Sequence, residues 1–478
     1  MAHSCFWESE ASPLVAGPIG RQRHDDAVQD LVAQLRRLAP GAPVRLAKKT
    51  SNLFRTRSEI SGPGLNVAEL NGVISIDQQA RTAEVQGMTT YEDLCDATLP
   101  HGLMPYVVPQ LRSITLGGAV TGLGIESSSF RNGLPHESVL EMDILTGAGE
   151  IVTATPQGPH ADLFAAFPNS YGSLGYAVRL KIALDPIEPY VHLRHLHFED
   201  VQQLLSVMDS IVEHRDYGGE KVDFLDGVVF GPRESYLVLG SFRARAPYTS
   251  DYTGQQIYYR SIQTRDEDYV STLDYIWRWD TDWFWCNRAL GLQKPWLRRL
   301  VPRRYLRSDV YSRIIRFETR YGVMASIDAR RGKAPRERVV QDVELPLAQT
   351  EKFLEWFLRE VPIEPIWLCP MRLRESEDDT RAGQPWPLYP MRRGETYVNV
   401  GFWSTVAIEE GALDGDVNRS IERVVQSLGG HKSLYSDAYY GQDEFWAMYG
   451  GAHYQQIKST YDPDGRLPDL YTKAVKRR

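Results

Sequence analysis

Between His24 and Leu38 the apolar residues Ala27, Val28, Leu31, Val32, Leu35 and Leu38 return every three or four positions, until Pro40-Gly41 stops them. That spacing lines one face of a helix, so an amphipathic helix is predicted there. The period then shortens to two. V-R-L-A at 44–47, V-I-S-I-D at 73–77 and T-A-E-V-Q at 82–86 alternate as half-buried strands do. T-Y-E-D from Thr90 sets a hydroxyl ahead of two acids, a capping pattern for a second helix ending near His101-Gly102. V-L-E-M-D-I-L-T at 139–146 and E-I-V-T-A at 150–154 bracket Gly147-Ala148-Gly149, which predicts a hairpin. A short helix over 162–167 and a strand over 175–184 follow, closed by Asp185-Pro186.

Past 187 the texture changes. Strand-like runs lengthen and aromatics become denser, as in V-D-F-L-D-G-V-V-F at 222–230 and S-Y-L-V-L-G-S-F at 235–242. Residues 345–361 pattern as an amphipathic helix, followed by P-I-W-L-C-P at 365–370. The chain therefore reads as α+β, with a first unit over 20–187 and a second over 188–430.

Composition narrows the function classes. A net charge of -8 over 478 residues argues against a general nucleic-acid binder. Cys5, Cys95, Cys286 and Cys369 are scattered, which indicates neither a disulfide framework nor a zinc knuckle. No apolar run approaches the roughly 20 residues of a membrane span, and M-A-H-S-C-F-W-E-S-E has no signal-peptide pattern. A cytoplasmic protein is expected, soluble or peripheral at the inner face of a membrane. His195 and His197 share a strand face with no third ligand in view, and His192 adds none, so no metal is expected.

The densest candidate chemistry is S-I-T-L-G-G-A-V-T-G-L-G-I-E-S-S-S at 113–129. Glycine and serine let backbone N–H groups approach a phosphate closely. A dinucleotide fingerprint fails, because Gly122-Leu123-Gly124 lacks its third glycine and no strand leads directly into the run. A Walker loop fails for want of G-K-[ST]. On periodicity alone the run is a glycine-rich turn.

Its neighbours change that. L-N-V-A-E-L-N-G-V-I-S-I-D at 65–77, A-E-V-Q-G-M-T-T-Y-E-D-L at 83–94, H-G-L-M-P at 101–105, F-R-N-G-L at 130–134 and S-Y-G-S-L-G-Y-A-V at 170–178 surround it in a fixed order. This order resembles the FAD-binding domain of the vanillyl-alcohol-oxidase and p-cresol-methylhydroxylase (PCMH) type. The resemblance implies a two-subdomain PCMH-type FAD-binding domain over 20–187. It also implies a substrate (cap) domain over 188–430, built on an antiparallel sheet with flanking helices, and a segment at 431–478 returning to the flavin domain. Two loops would wrap the FAD pyrophosphate. The first is Lys48, Lys49, Thr50, Ser51 and Asn52. The second spans Thr115 to Ser127, with Thr115, Leu116, Gly117, Gly118, Thr121, Gly122, Gly124, Ile125, Glu126 and Ser127 as contacts. Gly172, Leu174, Gly175 and Val178 would approach from the other side. The first loop lacks the histidine, and the second the cysteine, that anchor FAD covalently in many such oxidases, so non-covalent FAD is implied.

K-K-T-S-N-L-F-R, T-G-L-G-I-E-S-S-S, P-I-W-L-C-P-M-R-L at 365–373, L-Y-S-D-A-Y-Y at 434–440 and D-E-F-W-A-M-Y at 443–449 carry a second likeness. They resemble the delta-24 sterol reductase family and its bacterial relatives that reduce 10-methylene fatty acyl chains. The resemblance implies an NADPH-driven reductase of an isolated C=C bond in a lipid, first of all a 10-methylene acyl chain made 10-methyl. The alternatives are a sterol substrate, or an FAD-dependent alcohol oxidase or dehydrogenase. Reducing an unpolarised alkene needs a proton donor beside the hydride donor. The candidates are His431, Tyr435, Asp437, Tyr439 and Tyr440 in the returning segment, and Glu126 in the flavin loop. Tyr435 and Tyr439 lead, because a phenol tolerates an apolar pocket better than a carboxylate. Finally, 275–307 mixes Trp277, Trp279, Trp283, Phe284, Trp285 and Trp296 with Arg298, Arg299, Arg303, Arg304 and Arg307. Such a mixture suits either an interface with anionic lipid or a core edged by solvated arginines.

Overall fold

The computed structural model describes residues 17–48, 54–55, 64–321, 334–375 and 384–476. Two antiparallel sheets organise them. In the first, the strands run Val73–Asp77, Thr82–Gln86, Tyr176–Pro186, Val139–Leu145 and Ile151–Ala154 across the sheet, and Leu103–Pro105 pairs with the far end of Tyr176–Pro186. All but Leu103–Pro105 are strands that the sequence pattern predicts, whereas the strand expected over 44–47 shortens to Leu46–Ala47 and pairs with Leu65–Asn66 outside this sheet. The predicted helices flank the sheet. Arg21–Arg36 buries Ala27, Leu31 and Leu35. Tyr91–Thr98 is capped by Thr90, whose hydroxyl accepts from the Asp93 N–H.

The second sheet has eight strands in the order Glu267–Ser271, Tyr190–Phe198, Glu234–Arg243, Phe224–Gly231, Ile366–Arg372, Thr396–Ala407, Arg336–Pro346 and His431–Lys432. Pro370 is tolerated because pairing to Phe224–Gly231 stops at Leu368, so its missing N–H leaves no central hydrogen bond unmade. Strand alternation gives this sheet two faces. Leu225, Val229, Leu237, Leu239, Val343, Leu368 and Val400 meet the helices Val201–His214 and Leu347–Glu360 through Met208, Ile211, Phe353 and Phe357. The opposite face carries Phe224, Val228, Trp367, Cys369 and Tyr397, which share one core with Val85, Leu116, Met142 and Leu180 of the first sheet. The chain is thus an α+β fold with two sheets closing on a common interior.

Two expectations change. The glycine run is not purely a loop. Thr115 caps a short helix, Leu116–Thr121, by accepting from the Gly118 N–H at 3.2 Å, and Leu116, Ala119 and Val120 enter the core. The aromatic stretch also divides. Trp277, Trp279, Trp283, Phe284 and Trp285 are buried, and the buried Arg298 is paired with Asp282. The first half of 275–307 is therefore core, while Trp296 remains exposed.

Among the described residues no helix is long and apolar enough to cross a membrane. His192, His195 and His197 lie on the strand Tyr190–Phe198 as expected, His192 between Glu220 and Glu267 at 3.3 and 3.2 Å.

Candidate active site

The site is built around Gly87. A Cβ there would lie 1.9 Å from the Ala177 carbonyl oxygen, so only glycine lets the chain cross the strand Tyr176–Pro186 so closely. The Gly87 N–H donates to the Val178 carbonyl at 2.9 Å, and its own carbonyl accepts from the Gly117 N–H at 3.0 Å. The glycine run is thereby pinned against the first sheet. A Cβ on Gly117 would meet the Gly87 oxygen at 2.6 Å, and one on Gly122 would meet Tyr171 at 3.1 Å.

Above this floor lies a cavity of about 720 Å³. Its first half is lined by Lys48, Thr115, Gly117, Gly118, Thr121, Gly122, Gly124, Ile125 and Gly172, all expected flavin contacts, together with Met88, Gln110, Tyr171 and Tyr176. Lys48 Nζ reaches Thr115 Oγ1 at 3.4 Å. Lys473, from the helix Leu470–Ala474, ties the 171–172 turn down by donating to the Gly172 carbonyl at 2.7 Å. Gly172 has φ 72°, a left-handed turn that glycine adopts without strain.

Other expected contacts stand elsewhere. Leu116 and Leu174 are core. Gly175 is pressed on Leu145, where a Cβ would lie 2.6 Å from its carbonyl oxygen. Val178 packs with the Arg21–Arg36 helix. Lys49, Thr50, Ser51 and Asn52 lie outside the described residues. Glu126 and Ser127 turn away from the cavity. Glu126 pairs with the fully buried Arg278 at 3.2 Å, and Arg278 also holds Asp226 at 3.1 Å. A carboxylate committed to that pair is a structural anchor, which removes Glu126 from the proton-donor candidates.

The second half of the cavity is aromatic. Phe54, Trp283, Phe284, Trp285, Trp367 and Trp403 wall it. Trp283 stacks on Phe54 at 5.6 Å, and Phe284 lies 4.1 Å from Trp403 between ring centroids. Trp283 and Phe284 both have positive φ, 46° and 60°. Bulky residues rarely adopt that conformation, which costs on the order of 1–3 kcal/mol each and collects at functional sites. Here two successive strained residues turn their rings onto the cavity.

One polar chain interrupts this wall. The Tyr435 hydroxyl donates to Asp342 Oδ2 at 2.7 Å and accepts from Trp403 Nε1 at 2.9 Å. Asn399 Nδ2 donates to the other carboxylate oxygen at 2.9 Å. Asp342, Trp403 and Tyr435 all line the cavity. Strand parity places Asp342 there, on the face opposite Val343. Burial pushes the Asp342 carboxyl up to about 6 and the Tyr435 phenol well above its usual value. A tyrosine backed by a carboxyl that holds its proton to near-neutral pH can act as a proton donor in an apolar cavity.

The remaining candidates do not reach this cavity. His431 is enclosed beside Glu344 at 3.5 Å, and burial drops its imidazole to about 3, so it stays neutral. Tyr439 packs under the Arg419 guanidinium at 4.9 Å, and its N–H donates to Glu422. Tyr440 is buried in an aromatic cluster with Phe445 and Tyr449. Asp437 pairs with Arg338 at 3.3 Å. Among the described lining residues there is no histidine, and the cysteine there, Cys286, belongs to the aromatic half.

Sequence reasoning missed Asp342, Gly87, Lys473 and the aromatic wall. Asp342 sits in the ordinary strand pattern R-V-V-Q-D-V-E-L, and only its sheet neighbours reveal its burial. Gly87 was visible as a glycine ending a strand, a mark of close backbone approach.

A glycine floor flanked by lysines, opening into an apolar chamber with one proton-holding pair, fits a bound FAD. The fold and site define an FAD-dependent oxidoreductase. Comparison with known proteins agrees: residues 21–155 match the model of the FAD binding domain. Over its length the chain is similar to Delta(24)-sterol reductase of Arabidopsis thaliana, 26% identical over 87% of this chain and 77% of the relative. It is similar also to Delta(24)-sterol reductase of Homo sapiens, 25% identical over 95% of this chain and 86% of the relative. Cytokinin dehydrogenase 6 of Oryza sativa subsp. japonica is 28% identical over 48% of this chain.

Proposed function

We propose that the protein is an FAD-dependent, NADPH-driven reductase of an isolated C=C bond in a lipid, its substrate a 10-methylene fatty acyl chain converted to the 10-methyl chain. The observation that carries this reading is the Tyr435–Asp342 pair, set in an aromatic chamber that is continuous with the glycine floor.

Lys48, Thr115, Gly117, Gly118, Thr121, Gly122, Gly124, Ile125 and Gly172 would hold the FAD, without a covalent bond. Bound there and reduced by NADPH, the flavin would supply the hydride. The rest falls to the protein. The aromatic wall excludes water and takes the apolar chain. Hydride adds to one alkene carbon, and Tyr435 Oη gives a proton to the other. Asp342, in its acid form, then returns a proton to Tyr435 and is reprotonated from solvent. With Asp342 ionised, the phenol proton stays in its hydrogen bond to the carboxylate, so the acid form is the active one.

A second reading keeps the chemistry and makes the substrate a sterol, as the names of the full-length relatives suggest. A third reading is alcohol oxidation on the same flavin, in which Tyr435 and an ionised Asp342 would take a proton instead of giving one. The deciding experiment gives purified holoprotein NADPH under nitrogen with either a phospholipid carrying a 10-methylene acyl chain or a delta-24 sterol. Saturation of the acyl chain supports the first choice, and saturation of the sterol alone replaces it. Flavin reduction by an alcohol, with none by NADPH, removes both.

A further inference from the structure

The exposed half of the tryptophan-rich region is chemically unlike the rest of the surface. The chain as a whole carries a net charge of -8, yet 288–314 holds Arg and Lys at eight positions against one acid, Asp309. Apolar side chains stand among them in the open. Trp296 is 63% and Leu300 71% exposed, and Leu290 and Tyr305 are exposed as well.

Local geometry explains why they point outward. Pro295–Arg298 is one helical turn, with the Arg298 N–H donating to the Lys294 carbonyl at 3.0 Å. Arg298 faces inward, fully buried, holding Asp282 and the Gly254 carbonyl. Trp296, Arg299 and Leu300, at spacings of three and four residues, then share the outward side. Lys294, Arg299 and Arg304 have no carboxylate within ion-pair distance among the described residues, whereas Arg303 pairs with Asp251 and Arg313 with Asp309. The same stretch of chain walls the cavity, through Trp283, Phe284, Trp285, Cys286 and the exposed Arg288.

We propose that the surface over 288–314 docks the protein onto an anionic phospholipid bilayer, with Trp296 and Leu300 entering the headgroup boundary and Lys294, Arg299 and Arg304 meeting phosphate. Charge complementarity favours this partner over an acid-poor or neutral one: unpaired cations around exposed apolar side chains match a negatively charged interface. The cavity wall lies in the same segment, so docking would bring an acyl chain to its mouth. That purpose rests on the lipid-reductase reading, while the docking itself does not.

The test is co-sedimentation of the holoprotein with vesicles of phosphatidylcholine alone or of equal parts phosphatidylcholine and phosphatidylglycerol. Retained flavin colour reports folding. Binding is expected to the mixed vesicles, to weaken steeply with salt, and to be marginal on phosphatidylcholine. The triple variant Lys294→Gln/Arg299→Gln/Arg304→Gln is expected to lose affinity on the order of 100-fold, three charges at roughly fivefold each. The variant Trp296→Ser/Leu300→Ser is expected to lose binding while turnover of detergent-dispersed alkene stays unchanged. Equal binding to both vesicle types, or none to either, overturns the proposal. A dimer dissolved by the same variants would assign the patch to a second copy of the chain and also overturn it. Vesicle binding with no alkene turnover in detergent would leave docking standing and remove the reductase reading.

Discussion

Replacing Tyr435 by Phe removes one hydroxyl from the cavity wall and little else. The backbone there is held independently, the Tyr435 carbonyl accepting from the Phe54 and Arg55 N–H groups at 2.9 and 3.2 Å. The hydroxyl, however, joins Asp342 to Trp403. Its loss leaves one oxygen of a buried carboxyl and one indole N–H without that partner, at about 1–3 kcal/mol each. A melting shift is therefore expected, but the protein keeps its flavin. The catalytic effect is larger. A positioned general acid contributes about 10²–10⁴-fold, so reoxidation of the reduced flavin by alkene should slow by that factor. Reduction of the flavin by NADPH, which uses no proton from Tyr435, should keep its wild-type rate. Stopped-flow absorbance of the flavin, run anaerobically in two separate mixes, reads both steps. Wild-type reoxidation by alkene in Tyr435→Phe would refute the assignment of the proton to this phenol. Equal slowing of both steps would mean the hydroxyl only shapes the site.

Further consequences can be measured. Because burial raises the Asp342 carboxyl to about 6 and its acid form is the active one, kcat/KM should be level below that pH and fall above it, and Asp342→Asn should abolish this limb. The same raised carboxyl makes the folded state bind its proton more tightly than the unfolded chain. Stability should therefore drop by about 3 kcal/mol as pH rises from the ordinary carboxylate range through about 6, a slope that urea titrations of Asp342→Asn would lack. Gly117→Ala places a Cβ 2.6 Å from the Gly87 carbonyl oxygen, so it should cost about 1–3 kcal/mol and purify with less FAD, read from the ratio of flavin to protein absorbance. Arg278→Met leaves Glu126 and Asp226 buried without their cation and should destabilise by about 3–5 kcal/mol in urea unfolding, whereas a change near zero would mean both carboxyls are neutral.

The parts of this molecule that were legible in its sequence are those governed by local rules. Strands at 73–77 and 82–86, the Thr90 cap and the 147–149 hairpin follow from alternation, a hydroxyl and two glycines. The glycines that line the cavity were legible too, because close approach to another backbone demands that residue type. What failed was local reading of non-local facts. Leu174, Gly175 and Val178 stand in a glycine-rich motif, yet Leu174 and Val178 pack into the core and Gly175 lies pressed on Leu145. Glu126 looked like an acid beside a flavin, and only the fold brings Arg278 to it from 152 positions away. The aromatic run 275–307 mixes buried and exposed residues at spacings that no single period separates, because two successive left-handed residues, Trp283 and Phe284, redirect the chain. Asp342 gave no signal, since an acid on a strand is ordinary until the fold buries it beside Asn399 and Tyr435.

On the reading proposed above, the cavity reduces an alkene with a proton drawn from Tyr435. That reading is tested most directly by mixing photoreduced holoprotein, free of NADPH, with one equivalent of 10-methylene acyl phospholipid under nitrogen. Mass spectrometry in deuterated water reads the product. The flavin is expected to reoxidise and the acyl chain to become 10-methyl with two deuteria for each bond reduced, one from the solvent-exchangeable hydrogen of the reduced flavin and one given through Tyr435. A flavin that stays reduced with this lipid and with a delta-24 sterol alike would contradict that reading.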